Sequence, residues 1–460
     1  MRIASGLLFA VALTVFSSPC LALDDGDFDP TFGDSGSAFR IFPNGVPFSI
    51  YGLDTRSDGG FVLSGNLQLL PPASVDFGYA FSLPGFGGGG SYGFDLGGSN
   101  DDANFGGVAY GPDGGFVLAG MATGPDDDPA EQGALVAYDS NAHFQWQALV
   151  PKTGDVQIDA VATRKNGDIV FAGFYDHGAS SPGAGDDCLV GQWLADGMPD
   201  TGFSGNGLAT VAWDLGGTND DVCQAVDTTA SGKIVTAGLA VRADGSEDFA
   251  IARFTTSGSL DSSFSGDGKL VVAFDQGGTN DDIGKAIAVD RKNRIVVAGL
   301  VETATGQRVG VVRVLEDGTL DDTFNGTGKR TFNLSGSSDD VIDVRVLKIL
   351  SPPSNDIVIA GSYDRQPSGS AAFVAVLDDS GAFDTSFSGN GKQHVEVPGM
   401  DGYDYAGSLA LDGGELLLDG GFALNGPDPG DAWVTRLFMH QISGDDFESG
   451  DFRFWSSHAP

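Results

Sequence analysis

A five-residue motif recurs seven times along this 460-residue chain. It is a short apolar run closed by glycine: FVLSG at Phe61–Gly65, FVLAG at Phe116–Gly120, IVFAG at Ile169–Gly173, IVTAG at Ile234–Gly238, IVVAG at Ile295–Gly299, IVIAG at Ile357–Gly361 and LLLDG at Leu416–Gly420. Its closing glycines lie 55, 53, 65, 61, 62 and 59 residues apart. Repetition at this period constrains the fold more than any other feature. A unit this small cannot bury its apolar face alone and must stack on its neighbours.

A second landmark has the form Leu-Asp-x-x-Phe-x-Gly-x-Gly. It stands at Leu260–Gly268 (LDSSFSGDG) and Leu320–Gly328 (LDDTFNGTG), with related forms at Phe383–Gly391, Phe28–Gly36 and Met198–Gly207. Here Asp261 is expected to accept hydrogen bonds from backbone amides just beyond it, forming an Asx-type turn. Phe264 is expected to plug the gap between neighbouring units, and Gly266 and Gly268 to supply positive φ. The copy at Phe28–Gly36 precedes the first strand and is read as a connector between the last unit and the first. Between landmarks run short β-branched stretches bounded by Gly, Asp or Asn, such as KLVVAF at Lys269–Phe274 and VGVVRVL at Val309–Leu315. That pattern predicts strands.

Each unit thus holds about four strands. The expected fold is all-β: a seven-bladed β-propeller built from seven repeats of about four strands, since radial repetition leaves short, protected edges. A β-solenoid is the alternative, although its coils are usually shorter and it lacks four separate turns per repeat.

The connector loop LDSSFSGDG, a strand pair and a turn with IVVAG together resemble the delta-60 repeat family of bacterial secreted and surface proteins. The resemblance covers nearly the whole chain after its first residues and is closest in units four to seven. After the first two units the connector becomes LPGFGGGGSYG (Leu83–Gly93) and SNAHFQW (Ser140–Trp146). The resemblance implies a propeller-like fold and no particular activity, substrate or catalytic residue.

Composition narrows the class of partner. The chain carries Lys+Arg 24 against Asp+Glu 63, a formal net charge of -39, which disfavours nonspecific binding to nucleic acid or anionic lipid. Hydrophobics at 41%, with 32 phenylalanines, supply a core and argue against disorder. Residues 1–22 read as a signal peptide: Arg2, an apolar run LLFAVALTVF, then Cys20-Leu21-Ala22 before a cleavage site. The expected domains are this signal, a repeat domain over 23–440, and a tail over 441–460. That tail, GDDFESGDFRFWSSHAP from Gly444, resembles a short sorting-related tail of some secreted bacterial proteins. The expected location is periplasmic or extracellular, without a transmembrane segment, and the expected state is monomeric. After cleavage two cysteines remain, Cys188 and Cys223, which an oxidising compartment would join in a disulfide and which otherwise read as two buried thiols.

The candidate site is a repeated acidic loop: DLGGSNDD (Asp95, Asn100, Asp101, Asp102), DLGGTNDD (Asp214, Asn219, Asp220, Asp221) and DQGGTNDD (Asp275, Asn280, Asp281, Asp282), with a reduced form at Asn333–Asp340. Carboxylates and amide oxygens on a glycine-bearing loop are the ligand type calcium prefers. The same residues equally make a solvated turn whose Asp side chains bond their own backbone. The spacing matches no established calcium motif, so both readings stand. No cofactor is otherwise indicated.

Catalytic patterns are weaker. The histidines His143, His177, His394, His440 and His458 have no ligand-like spacing, and no His-Glu-x-x-His occurs. Gly89–Gly93 (GGSYG) matches a nucleophile elbow without the helix that should follow it. Trp146, Trp193, Trp213 and Trp433 fall in or beside predicted strands, where core packing is expected. The functional expectation is a binding or structural module for an extracellular polysaccharide or surface protein. A propeller hydrolase or lyase with carboxylates at the central channel is the alternative.

Overall fold

The computed structural model describes residues 48–56, 60–68, 75–82, 89–94, 102–103, 106–123, 131–151, 154–177, 185–334, 340–349, 355–364, 370–395, 404–412, 415–422 and 432–437. Every regular element among them is a strand. The first sheet holds β1 (Phe48–Thr55), β2 (Phe61–Gln68), β3 (Val75–Ser82) and β4 (Gly89–Phe94). The second holds β5 (Val108–Tyr110), β6 (Phe116–Thr123), β7 (Glu131–Tyr138) and β8 (Phe144–Leu149). The third holds β9 (Val156–Thr163), β10 (Ile169–Asp176), β11 (Asp186–Trp193) and β12 (Leu208–Val211). The fourth holds β13 (Gly216–Thr228), β14 (Ile234–Arg242), β15 (Glu247–Phe254) and β16 (Lys269–Val272). The fifth holds β17 (Asp282–Val289), β18 (Ile295–Thr303), β19 (Gly306–Val314) and β20 (Lys329–Phe332). The sixth holds β21 (Asp340–Ile349), β22 (Ile357–Asp364), β23 (Ser370–Leu377) and β24 (Lys392–Val395). A last sheet holds β25 (Asp404–Asp412), β26 (Glu415–Phe422) and β27 (Ala432–Leu437).

The chain is therefore an all-β propeller with six complete four-stranded blades, which corrects the expected seven; the last unit forms a three-stranded sheet. The reason lies in where fourth strands come from. In the third to sixth blades the fourth strand directly follows a connector loop, as Lys269–Val272 follows Leu260–Gly268. No connector sequence follows β27. The remaining copy, Phe28–Gly36, lies outside the described residues, as do the 1–22 signal and the 441–460 tail.

Strands pair antiparallel in simple sequence order within each sheet. First strands contact one another in the cycle β1, β5, β9, β13, β17, β21, β25 and back to β1, so they line the axis of a closed ring. Alternate turns then lie at opposite ends. The first-to-second and third-to-fourth turns share one end, while the second-to-third turns and the links to the next sheet share the other.

Each copy of the apolar motif lies at the start of the second strand of its sheet, opening it in the first six and following Glu415 in the last. Sheets pack on both faces, so these strands are buried throughout instead of alternating: Ile295, Val296, Val297 and Ala298 are all at most 1% exposed. The cores lie between blades. One joins Val235, Phe249 and Phe264 to Val297 and Val312 of the next sheet. The closing glycine has a specific cause. The first strand bulges opposite it, between Gly284 and Ala286 for Gly299, and a Cβ there would sit 1.9 Å from the Ile283 carbonyl oxygen. Gly173 and Gly238 face the same bulge, at 1.9 and 1.8 Å from a carbonyl oxygen.

Cys188 on β11 and Cys223 on β13 form a disulfide between neighbouring blades, with both side chains fully buried. It closes a separation of 35 residues, worth about 4 kcal/mol on the chain-entropy model. Among the described residues no helix is long and apolar enough to cross a membrane.

Candidate functional site

The connector loops build one end of the molecule. Asp261 Oδ1 accepts the Ser263 amide at 3.1 Å, and the equivalent acids Asp200, Asp321 and Asp384 accept from Gly202, Thr323 and Ser386. Phe203, Phe264, Phe324 and Phe387 are buried as interblade plugs. Gly266 and Gly268 have φ of 90° and 88°; Ser265 between Phe264 and Gly266 is also left-handed at 51°, which turns its amide onto the Asp317 carbonyl of the next blade at 2.8 Å.

Beneath these loops sits a buried ion pair absent from the sequence expectations. Arg253 Nε donates to Asp261 Oδ2 at 2.7 Å, and Arg313 Nε to Asp321 Oδ2 at 2.8 Å, with each guanidinium stacked near its plug phenylalanine, 4.8 Å from Phe264 and 4.9 Å from Phe324. Both arginines reach the next blade, at the Glu316 and Asp379 carbonyl oxygens. Burial alone would raise the Asp261 pKa, but hydrogen bonds from Lys233 and Ser263 and the Arg253 charge hold it far below the usual carboxylate range. In the third blade Gln192 takes the arginine position and donates to Asp200 at 2.6 Å. Recurrence of Arg seven residues before the landmark leucine, at Arg253 before Leu260 and Arg313 before Leu320, was the available signal.

The opposite end carries the acidic loops, and the structure scatters their side chains. Asp214 and Asp275 are exposed, with left-handed φ of 48° and 51°. Asn280 Oδ1 accepts the Gly277 amide at 3.1 Å within its own loop; Asn219, at the same left-handed position with φ 63°, is half-buried. Asp220 Oδ1 accepts the Asp186 amide, and Asp281 Oδ1 the Glu247 amide, each from the preceding blade at 3.3 Å. Asp155 does the same for Glu131 at 2.9 Å. Asp221 and Asp282 turn inward and are fully buried; Asp221 Oδ2 accepts the Trp213 amide and Asp282 Oδ2 the Phe274 amide, both at 2.6 Å. Their Oδ1 atoms are buried without a hydrogen-bond partner. Asp102 is likewise fully buried, whereas Asp95, Asn100 and Asp101 lie outside the described residues. Among the described residues no three His, Cys, Asp or Glu side chains gather in a group able to hold a metal ion.

Burial, with neighbouring carboxylates adding to it, raises the pKa values of several acids at this end. Asp282 is pushed up to about 6 by burial, with the Asp248 carboxylate adding to it. Asp186 is pushed up to about 6 by burial and then by Asp220 and Asp176. Burial followed by a facing carboxylate also raises Glu131, against Asp155, and Glu247, against Asp281. Three successive seams thus set two carboxylates against each other while a backbone amide bridges them.

Other sequence candidates fall into structural roles. Trp193 and Trp213 are buried in interblade cores, and Trp146 is half-buried with Nε1 donating to Ala195 O at 3.1 Å. Gly89–Gly93 lies within strand β4 instead of a strand–helix turn. His394 Nδ1 pairs with the Tyr363 hydroxyl at 2.7 Å, and His177 Nε2 with Asp187 Oδ2 at 2.9 Å.

Sheet order, ring contacts and repeated loops define a β-propeller made of an internal repeat. Two segments, residues 229–264 and 293–324, match a family model described as "Domain of unknown function (DUF5122) beta-propeller". Each match ends on a plug phenylalanine, Phe264 or Phe324. No curated protein matches the chain. Among solved structures it is similar to the acylaminoacyl peptidase of Pyrococcus horikoshii, at 10% identity and a TM-score of 0.46, covering 89% of this chain and 52% of that one. It therefore spans about half that peptidase's length. It is also similar to the β-propeller domain of the Trilobed protease from Pyrococcus furiosus (8% identity, TM-score 0.47, covering 85% and 93%) and to an α-L-arabinanase of Penicillium chrysogenum (10%, 0.44, 88% and 99%). Likeness at this level carries no argument about activity.

Proposed function

We propose that this chain is a secreted, delta-60-type propeller that binds an extracellular polysaccharide or surface protein and performs no chemistry on it. One observation carries the reading: the repeated acids, which are the richest source of reactive groups in the sequence, are spent on backbone amides. Asp220, Asp221, Asp281 and Asp282 each accept a main-chain N–H. A general acid and base need carboxylates aimed at a substrate, not at the seams of the fold. The buried disulfide supports an oxidising compartment, and the 1–22 signal and 441–460 tail belong to the same reading, around a propeller spanning 23–440. The acidic loops act as turns and interblade clasps. Adding calcium to the chelated protein is then expected to leave its melting temperature unchanged; a clear calcium-dependent rise would assign the loops to metal instead. The direct test is co-sedimentation of the purified chain with insoluble polysaccharides of different backbone. Saturable binding to some and not others is expected, and uniform absence of binding to polysaccharides and surface proteins would overturn the proposal.

A further inference from the structure

A cavity of about 510 Å³ opens where the first-to-second turns of the first three blades meet, beside the ring axis at the end opposite the acidic loops. Its size is within the range of small-molecule sites. Three cations line it, Arg56, Arg164 and Lys165, with two acids, Asp54 and Asp113. In a chain with 24 Lys+Arg against 63 Asp+Glu that balance runs against the average. The acids are turned to the backbone: Asp54 accepts the Thr55 and Tyr110 amides at 2.9 and 2.8 Å, and Asp113 the Gly115 amide at 3.0 Å.

Both arginines are anchored. Arg56 Nη1 donates to Ser140 O at 2.9 Å, and Arg164 Nη2 to Gly232 O at 2.6 Å, which pins each guanidinium between blades. Arg164 Nε is buried with no hydrogen-bond partner. Burial lowers the Arg164 pKa although Asp168 and Asp200 lie near enough to raise it, the mark of an under-compensated charge. Lys165 is exposed and makes no ion pair among the described residues. Thr-Arg recurs at the end of the first strand, at Thr55-Arg56 and Thr163-Arg164, so the repeat itself places two forks around one opening.

We propose that this cavity is an anion site that takes an acidic sugar residue, a uronate or a sulfate ester, of a polysaccharide ligand. The proposal rests on the binding-module reading above. Planar guanidinium groups match carboxylate and sulfate oxygens in two-point contacts, and Lys165 adds a mobile charge at the rim.

Calorimetry on the full chain with an oligogalacturonate, a sulfated oligodextran and a neutral malto-oligosaccharide of equal length tests it. Binding of one or both acidic probes and not the neutral one is expected, and which acidic probe binds tighter separates carboxylate from sulfate. Lys165→Glu should weaken acidic binding about tenfold, the loss of one charge-assisted contact. Lys292→Glu makes the same charge change on a first-to-second turn of another blade, outside this cavity, and should change binding less than about twofold, since solvent and salt screen it. Equal loss in both variants would overturn the site in favour of a general charge effect. Binding of the neutral probe alone would overturn the site and leave the module reading standing. Binding of no probe would overturn the site and remove oligosaccharide support from the module.

Discussion

Glycine at the motif's end carries one of the sharpest constraints in the molecule. Because the facing strand bulges, a methyl group at residue 299 has the Ile283 carbonyl oxygen in its place. Gly299→Ala is expected to destabilise by about 3 kcal/mol, the cost of forced backbone shifts in a packed interior; a denaturation midpoint unchanged from wild type would refute the bulge account. The buried Arg253 sets a second test. Arg253→Met leaves Asp261 inside the connector with Lys233 as its remaining cation, at 2.8 Å. A loss of about 3–5 kcal/mol is expected by urea denaturation, the cost of stranding one member of a buried pair. A near-neutral outcome would show that Lys233 alone compensates the carboxylate.

At the scale of elements, the seams between blades predict how stability follows pH. Asp186 and Asp282 have folded pKa values raised to about 6, above the ordinary carboxylate value of 3.8. The folded state therefore holds more protons between about pH 4 and 6, and stability from these groups falls as pH rises through that window. Asp261 works in the opposite sense, with its contribution lost below about pH 4, because its pKa is depressed. A melting temperature higher near pH 5 than at pH 7.5 is expected, with a fall at stronger acid. Asp282→Asn should raise the neutral-pH melting temperature and flatten the slope; an unchanged slope would mean that this acid is ionised in the fold. These elements also show what sequence could carry. Strand positions, the Asx turns at Asp261 and Asp321 and the plugs at Phe264 and Phe324 were legible because they repeat locally, each within nine residues. Facing pairs such as Glu247 with Asp281 were not, because the two acids are far apart in the chain and meet by the packing of one blade on the next. Composition places Asp275, Asn280, Asp281 and Asp282 in one loop, but strand alternation and the buried turn send their side chains in different directions.

The whole molecule has six four-stranded blades and a three-stranded sheet on a closed ring of first strands. Glycine spacing led to seven four-stranded blades where six form, because a fourth strand belongs to the connector after a unit instead of the unit itself, and the final unit holds three strands. Charge is also arranged globally. Crowded carboxylates lie at the seams of one end, while Arg56, Arg164 and Lys165 surround the opening at the other. The central claim is binding without turnover. It is tested most directly by incubating the full chain with a polysaccharide it retains and following the polymer's length distribution by size-exclusion chromatography. An unchanged distribution with protein co-eluting on the polymer is expected, and progressive shortening of the polymer would contradict the account.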